Sequence, residues 1–141
     1  MMENKEIADI VAAYCAERPE IVACYLFGSQ ATGKARSDSD VDLGFLLKSD
    51  IPRSNYTDLS LEYFVRLSRM LRQDIHPLIM NSAGELVLEQ IFRKGMSIYG
   101  GDSFDCAYFR MVQTVQIAEF SPLRKLTEDS FLARLKEKYN G

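Results

Sequence analysis

Two aspartates two positions apart, preceded by a Gly-Ser pair, are the residues of this chain best suited to chemistry. Asp40 and Asp42 begin an apolar segment, and ten residues separate them from Gly28 and Ser29. Successive side chains of a strand alternate between its faces, so both carboxylates point to one side, with Cα atoms about 6.6 Å apart. Carboxylates at that spacing can hold two divalent ions about 4 Å from each other. The spacing therefore predicts a two-metal site.

The Gly28-Ser29 pair predicts a binding site for nucleotide phosphates. It ends an apolar run, and a strand that turns through Gly-Ser into a short helix presents backbone N–H groups, a hydroxyl and a helix dipole to an anion. Mg²⁺ prefers oxygen ligands and is usually held by one or two carboxylates together with substrate phosphates. Asp74 begins a later predicted strand. If that strand lies beside the Asp40 strand, its carboxylate can reach the same metal and the attacking hydroxyl.

The pattern G-S-x(10)-D-x-D resembles that of the minimal nucleotidyltransferases of the DNA polymerase β-like superfamily. The chain looks most like the MNT antitoxins that are encoded beside HEPN ribonuclease toxins, and the resemblance covers about residues 20–101. It implies an enzyme that uses two Mg²⁺ ions to transfer AMP from ATP to a tyrosine hydroxyl of a cognate HEPN toxin. In that role Gly28 and Ser29 hold the β- and γ-phosphates. Asp40 and Asp42 ligate both ions, and Asp74 ligates the ion nearer the acceptor and can accept its proton.

One position departs from the family pattern. Members often carry Arg-Gly after the Gly-Ser turn, where this chain has Thr32 and Gly33. Lys34 or Arg36 can supply the positive charge to the phosphates instead. Both are therefore candidate nucleotide-binding residues.

Three other interpretations compete with a toxin-modifying nucleotidyltransferase. Gly28 to Ala35 is one residue away from a Walker A pattern, but Ala35 lacks the hydroxyl for Mg²⁺ and only four residues separate it from Asp40, too few for the helix of a P-loop. A non-catalytic antitoxin that acts by binding alone does not need the intact set of carboxylates. A small-molecule transferase of the aminoglycoside type generally adds an acceptor domain, for which the 40 residues after Gly101 are few.

Composition limits the class of protein. The chain has 141 residues, 47% of them hydrophobic and 26% charged, which is typical of one globular domain. Its net charge of -3 offers no basic field, so direct binding to nucleic acid is not expected. No run approaches the roughly 18 apolar residues of a membrane span. Three scattered cysteines and a non-exported N-terminus predict a cytoplasmic protein without structural disulfides.

Hydrophobic periodicity predicts an α/β fold: a small mixed β-sheet covered by helices, as in polymerase β-like nucleotidyltransferases, with a helical C-terminal segment. We expect one domain over residues 1–141, with its core at about 20–101 and C-terminal helices at about 102–139. Strands are predicted at Ile21 to Phe27, from Val41 to Leu47, at Asp74 to Met80 and near Met96, with the third at a sheet edge because it contains Pro77. Helical spacing predicts two core-facing stripes, namely Leu61, Phe64, Leu67 and Leu71, and Phe104, Tyr108, Met111, Val112 and Val115.

Overall fold

The computed structural model describes residues 3–28 and 40–116. Its helices are α1 (Asn4–Ala16), α2 (Tyr56–Leu71) and α3 (Glu85–Lys94), and its strands are β1 (Ile21–Phe27), β2 (Val41–Leu47), β3 (Ile75–Ile79) and β4 (Met96–Tyr99). Short 3-10 turns lie at Arg53–Asn55 and Met80–Ser82, and residues 104–116, here called α4, are helical. The chain divides into a unit of Met1–Ala107, which contains the whole sheet, and a unit of Tyr108–Gly141. No helix of the described ranges is long and apolar enough to cross a bilayer.

The four strands form one mixed sheet in the order β3-β2-β1-β4. β1 is antiparallel to both β2 and β4, whereas β2 and β3 are parallel and are joined through α2. A parallel pair needs such a crossover, and a helix is its usual form. β3, which contains Pro77, lies at an edge as predicted, and the mixed α/β architecture is confirmed.

One face of the sheet packs against α1 and α2. Alternate residues of β2 (Val41, Leu43, Phe45 and Leu47) point to this face and are buried. The ring of Phe45 lies 4.6 Å from that of Tyr63 on α2, which in turn meets Tyr14 of α1 edge to face at 6.1 Å. This layer is the main hydrophobic core of the described chain.

The other face of the sheet is covered by α3 and the turn before it. Gly44 allows the close approach, because a Cβ there would lie 3.3 Å from Cγ of Met80 and 3.4 Å from Cδ1 of Ile91. Tyr25 of β1 meets Phe92 of α3 edge to face at 5.7 Å. Asp42 alternates with Val41 and Leu43, so it lies on this second face, at the end of the sheet where β1 ends.

Both predicted helical stripes are wrong in part. On α2 the buried residues are Tyr63, Leu67 and Leu71, while Leu61 is 60% exposed. The helix is rotated so that Tyr63 reaches the core. On α4 the large residues expected inside are exposed, namely Phe104, Tyr108, Met111 and Val115. Periodicity identifies the apolar face of a helix but not what covers it.

The first turns of α1 and α3 have no side-chain cap. α1 begins at Asn4, and its N-cap is Glu3. Ser82 belongs to the 3-10 turn before α3, whose N-cap is Gly84. Ala83 and Gly84 are both extended, so Ser82 is too far from α3 to cap it.

An ionic cluster joins α1, β1 and α2. Arg18 donates to both carboxylate oxygens of Glu62 at 2.8 and 2.9 Å and to Glu20 at 2.9 Å. The Tyr63 hydroxyl donates to the same Glu20 oxygen at 2.8 Å. Burial and this hydrogen bond both raise the pKa of Tyr63, so it remains a donor. The cluster links the segment between α1 and β1 to α2.

Candidate active site

The register between β2 and β3 brings the predicted acidic residues to one end of the sheet. Val41 is paired with Ile75 and Asp42 with His76, and the Val41 N–H donates to the carbonyl oxygen of Asp74 at 3.1 Å. Asp40 and Asp74 precede the first of these pairs and are therefore neighbours across the two strands. Asp42 and His76 are partners across these two parallel strands, so their side chains lie on the same face of the sheet.

Asp42 is the most enclosed of the predicted acidic residues. Its side chain is 25% exposed, whereas Asp40 and Asp74 are exposed residues. Oδ1 of Asp42 lies 3.1 Å from Nδ1 of His76. The imidazole is 70% exposed, so this contact forms at the rim of the sheet rather than in the core.

Gly28 leaves the space that the Asp42 carboxylate occupies. Its φ of +72° lies in the left-handed region, which residues with a Cβ rarely adopt. A Cβ at this position would collide with Oδ2 of Asp42 and lie 3.1 Å from its Cγ. The turn after β1 and the carboxylate of Asp42 are thus in direct contact.

Three predicted nucleotide-binding residues lie outside the described ranges. These residues are Ser29, Lys34 and Arg36. Their roles remain predictions. Within the described chain, Gly28 and Asp42 are brought into contact, and Asp40 and Asp74 lie two residues before the pair of Asp42 and His76.

The donor chemistry at this end of the sheet fits Mg²⁺. Asp42 of β2 and Asp40, which precedes that strand, carry carboxylate oxygens, which are the donor type that Mg²⁺ prefers. In residues 3–28 and 40–116, no three His, Cys, Asp or Glu side chains are grouped so that they could hold an ion by themselves. Mg²⁺ is commonly held by one or two carboxylates and completed by substrate phosphates and water. These residues therefore suit an ion that arrives with a nucleotide.

The contact between His76 and Asp42 was not predicted from the sequence. The side chain of His76 is exposed. The one sequence feature that could have indicated this contact is the spacing Asp74-x-His76, which repeats the spacing Asp40-x-Asp42. Only the register shows that the histidine faces the second aspartate.

Comparison with known proteins identifies the fold. A toxin–antitoxin structure with AMP-PNP matches with a TM-score of 0.68 and 19% identity, covering 92% of this chain and 98% of that one. The structure of a tri-AMPylated *Shewanella oneidensis* HEPN toxin in complex with an MNT antitoxin matches with a TM-score of 0.65 and 17% identity, covering 91% and 98%. The MntA–HepT toxin–antitoxin structure matches with a TM-score of 0.64 and 18% identity, covering 92% and 99%.

The family is identified by sequence. Among curated proteins, none matches the chain significantly. The family model described as "Polymerase beta, Nucleotidyltransferase" matches residues 9–104, which include the whole sheet, Gly28 and the four residues at the ends of β2 and β3. The chain therefore belongs to the polymerase beta nucleotidyltransferase family.

Proposed function

We propose that this chain is an antitoxin that transfers AMP from ATP to a tyrosine hydroxyl of a cognate HEPN toxin and thereby neutralises it. The observation that carries the proposal is the contact between the Gly28 turn and the Asp42 carboxylate, with Asp40 and Asp74 at the same end of the sheet. Support also comes from the solved neighbours, one with AMP-PNP and one with a tri-AMPylated toxin.

The reaction is a displacement at the α-phosphorus of ATP. The acceptor oxygen forms a bond to that phosphorus, the bond to the bridging oxygen of the β-phosphate breaks, and pyrophosphate leaves. Gly28 and Ser29 hold the β- and γ-phosphates, with Lys34 or Arg36 adding positive charge. These groups orient the leaving group opposite to the attacking hydroxyl. Positioning and charge neutralisation supply most of the catalysis of such a transfer.

The carboxylates have two tasks. Asp40, Asp42 and Asp74 would hold Mg²⁺, and Asp74 would also receive the acceptor proton. When bound, Mg²⁺ neutralises the phosphate charge and favours the ionised form of a nearby hydroxyl. A tyrosine hydroxyl has a pKa of about 10, so it needs such help to become a nucleophile at neutral pH.

A labelling experiment tests this function against its alternatives. The chain is incubated with Mg²⁺ and ATP labelled at the α-phosphate, and with either a candidate HEPN toxin or an aminoglycoside. The Asp40→Asn, Asp42→Asn double variant serves as the control. We expect label on a tyrosine of the toxin, and none with the control.

The other outcomes identify the alternatives. Label on the aminoglycoside indicates a small-molecule transferase. Loss of the toxin's ribonuclease activity without label, equally with the wild type and the control variant, indicates an antitoxin that acts by binding alone. Either result would contradict the proposed transfer to the toxin.

A further inference from the structure

His76 makes a specific contact that the proposed function has not used. It is the chain's only histidine. Its Nδ1 lies 3.1 Å from Oδ1 of Asp42, its register partner on β2. With 70% of the side chain exposed, packing does not account for its placement.

The two oxygens of Asp42 have different neighbours. Oδ1 is next to the imidazole, and Oδ2 is next to the Cα of Gly28, where a Cβ would collide with it. A carboxylate that accepts a hydrogen bond at Oδ1 cannot rotate freely about its Cβ–Cγ bond. A hydrogen bond donated by His76 to Oδ1 would therefore keep Oδ2 directed at the Gly28 turn.

We propose that His76 is a positioning residue for Asp42: Nδ1–H donates to Oδ1 and holds Oδ2 in the orientation that meets the metal–nucleotide complex. This inference rests on the proposed function, which places the phosphates at the Gly28 turn. A carboxylate in place of the imidazole would repel Asp42, whereas a ring N–H can donate to it. Partners that orient metal ligands in this way commonly contribute 10- to 100-fold to metal affinity or activity.

Two variants distinguish the effect of the N–H donor from that of the rest of the imidazole ring. His76→Ala removes the donor. His76→Asn keeps an N–H donor on the same branch of the side chain, because its Nδ2, like Nδ1 of histidine, is bonded to Cγ. Since the side chain is exposed, both variants are expected to fold, which thermal unfolding checks. Binding is measured by electron paramagnetic resonance of Mn²⁺ in the presence of AMP-PNP.

We expect His76→Ala to weaken Mn²⁺ binding about tenfold, and His76→Asn to restore it close to the wild-type value. Steady-state transfer gives a second measurement, in which kcat falls more than the KM for ATP changes. The reason is that the Asp42 carboxylate is misoriented while the phosphate-binding turn at Gly28 is retained. A purely structural histidine would give no rescue by asparagine.

Nitrogen-15 labelling of histidine provides a readout specific to this residue, because the chain contains no other histidine. We expect the ring to carry its proton on Nδ1, with and without Mg²⁺ and AMP-PNP. Protonation on Nε2 alone overturns the proposal. Direct coupling between Mn²⁺ and the labelled nitrogen also overturns it, because the imidazole would then be a ligand.

The outcomes distinguish this inference from the function on which it rests. If the wild type does not bind Mn²⁺ with AMP-PNP, the proposed function fails and the role of His76 fails with it. If the wild type binds and His76→Ala binds equally well, only the role of His76 is overturned.

Discussion

Gly28 offers the sharpest test of the site geometry, through the substitution Gly28→Ala. The backbone there has a φ of +72°, and placing a residue with a Cβ in that region costs about 1 kcal/mol. The new Cβ would also collide with Oδ2 of Asp42, so the carboxylate must rotate and lose its contact with His76. Loss of such a hydrogen bond costs about another 1 kcal/mol. We expect a total loss of about 2 kcal/mol of the free energy of unfolding, by adding these two terms.

A double-mutant cycle with Asp42→Ala separates the two contributions. Without the Asp42 carboxylate the collision disappears, and the remaining Cβ atom lies at an ordinary distance of 3.4 Å. Gly28→Ala in the Asp42→Ala background is then expected to cost only the backbone strain, about 1 kcal/mol. The coupling between the two sites is therefore about 1 kcal/mol.

Urea denaturation of the four proteins measures this coupling. Gly84→Ala is the control, because its Cβ meets nothing within 4 Å and its φ is -71°; replacing this N-cap glycine is expected to cost up to about 1 kcal/mol, equally in both Asp42 backgrounds. An equal cost of Gly28→Ala in both backgrounds would refute the contact between Gly28 and Asp42. It would also remove the observation that carries the proposed function.

Three further predictions concern the metal site and the ionic cluster. The Asp40→Asn, Asp42→Asn double variant is expected to lose transfer while its melting temperature stays near that of the wild type; a wild-type rate of label transfer would contradict the metal assignment. Chelation by EDTA is expected to stop transfer reversibly with little change in melting temperature, whereas unfolding would indicate a structural metal. Burial acts to raise the pKa of Glu20, but hydrogen bonds from Tyr63 and Arg18 outweigh it and lower that pKa below its ordinary 4.5. The unfolded state therefore binds the proton more readily, so this stabilisation is present above pH 4.5 and is lost as pH falls through the lowered pKa. Urea denaturation at a series of pH values measures the effect: in Glu20→Gln the free energy of unfolding is expected to fall less on acidification than in the wild type. An unchanged pH dependence would show that Glu20 does not cause the loss of stability in acid.

The strands could be predicted from the sequence because they depend on local order. β1 and β2 have the predicted bounds, since their apolar runs end at turn residues such as Gly28. The spacing of Asp40 and Asp42 predicts two carboxylates on one face, because side chains alternate along a strand, and their role at a metal site stays a prediction. Pro77 indicated an edge strand, because it lacks an N–H to donate.

The tertiary structure alone decided which apolar face is covered and which residues meet across strands. Leu61 and Phe104 satisfy helical periodicity as well as the buried residues do, yet both are exposed, because burial depends on the neighbouring element and not on the helix. His76 lies beside Asp42 because of the register between β2 and β3, which are separated in the chain by α2. A shift of one residue in that register would turn the imidazole to the other face of the sheet. Register is set by the packing of whole strands against the helices, and no local run of residues encodes it.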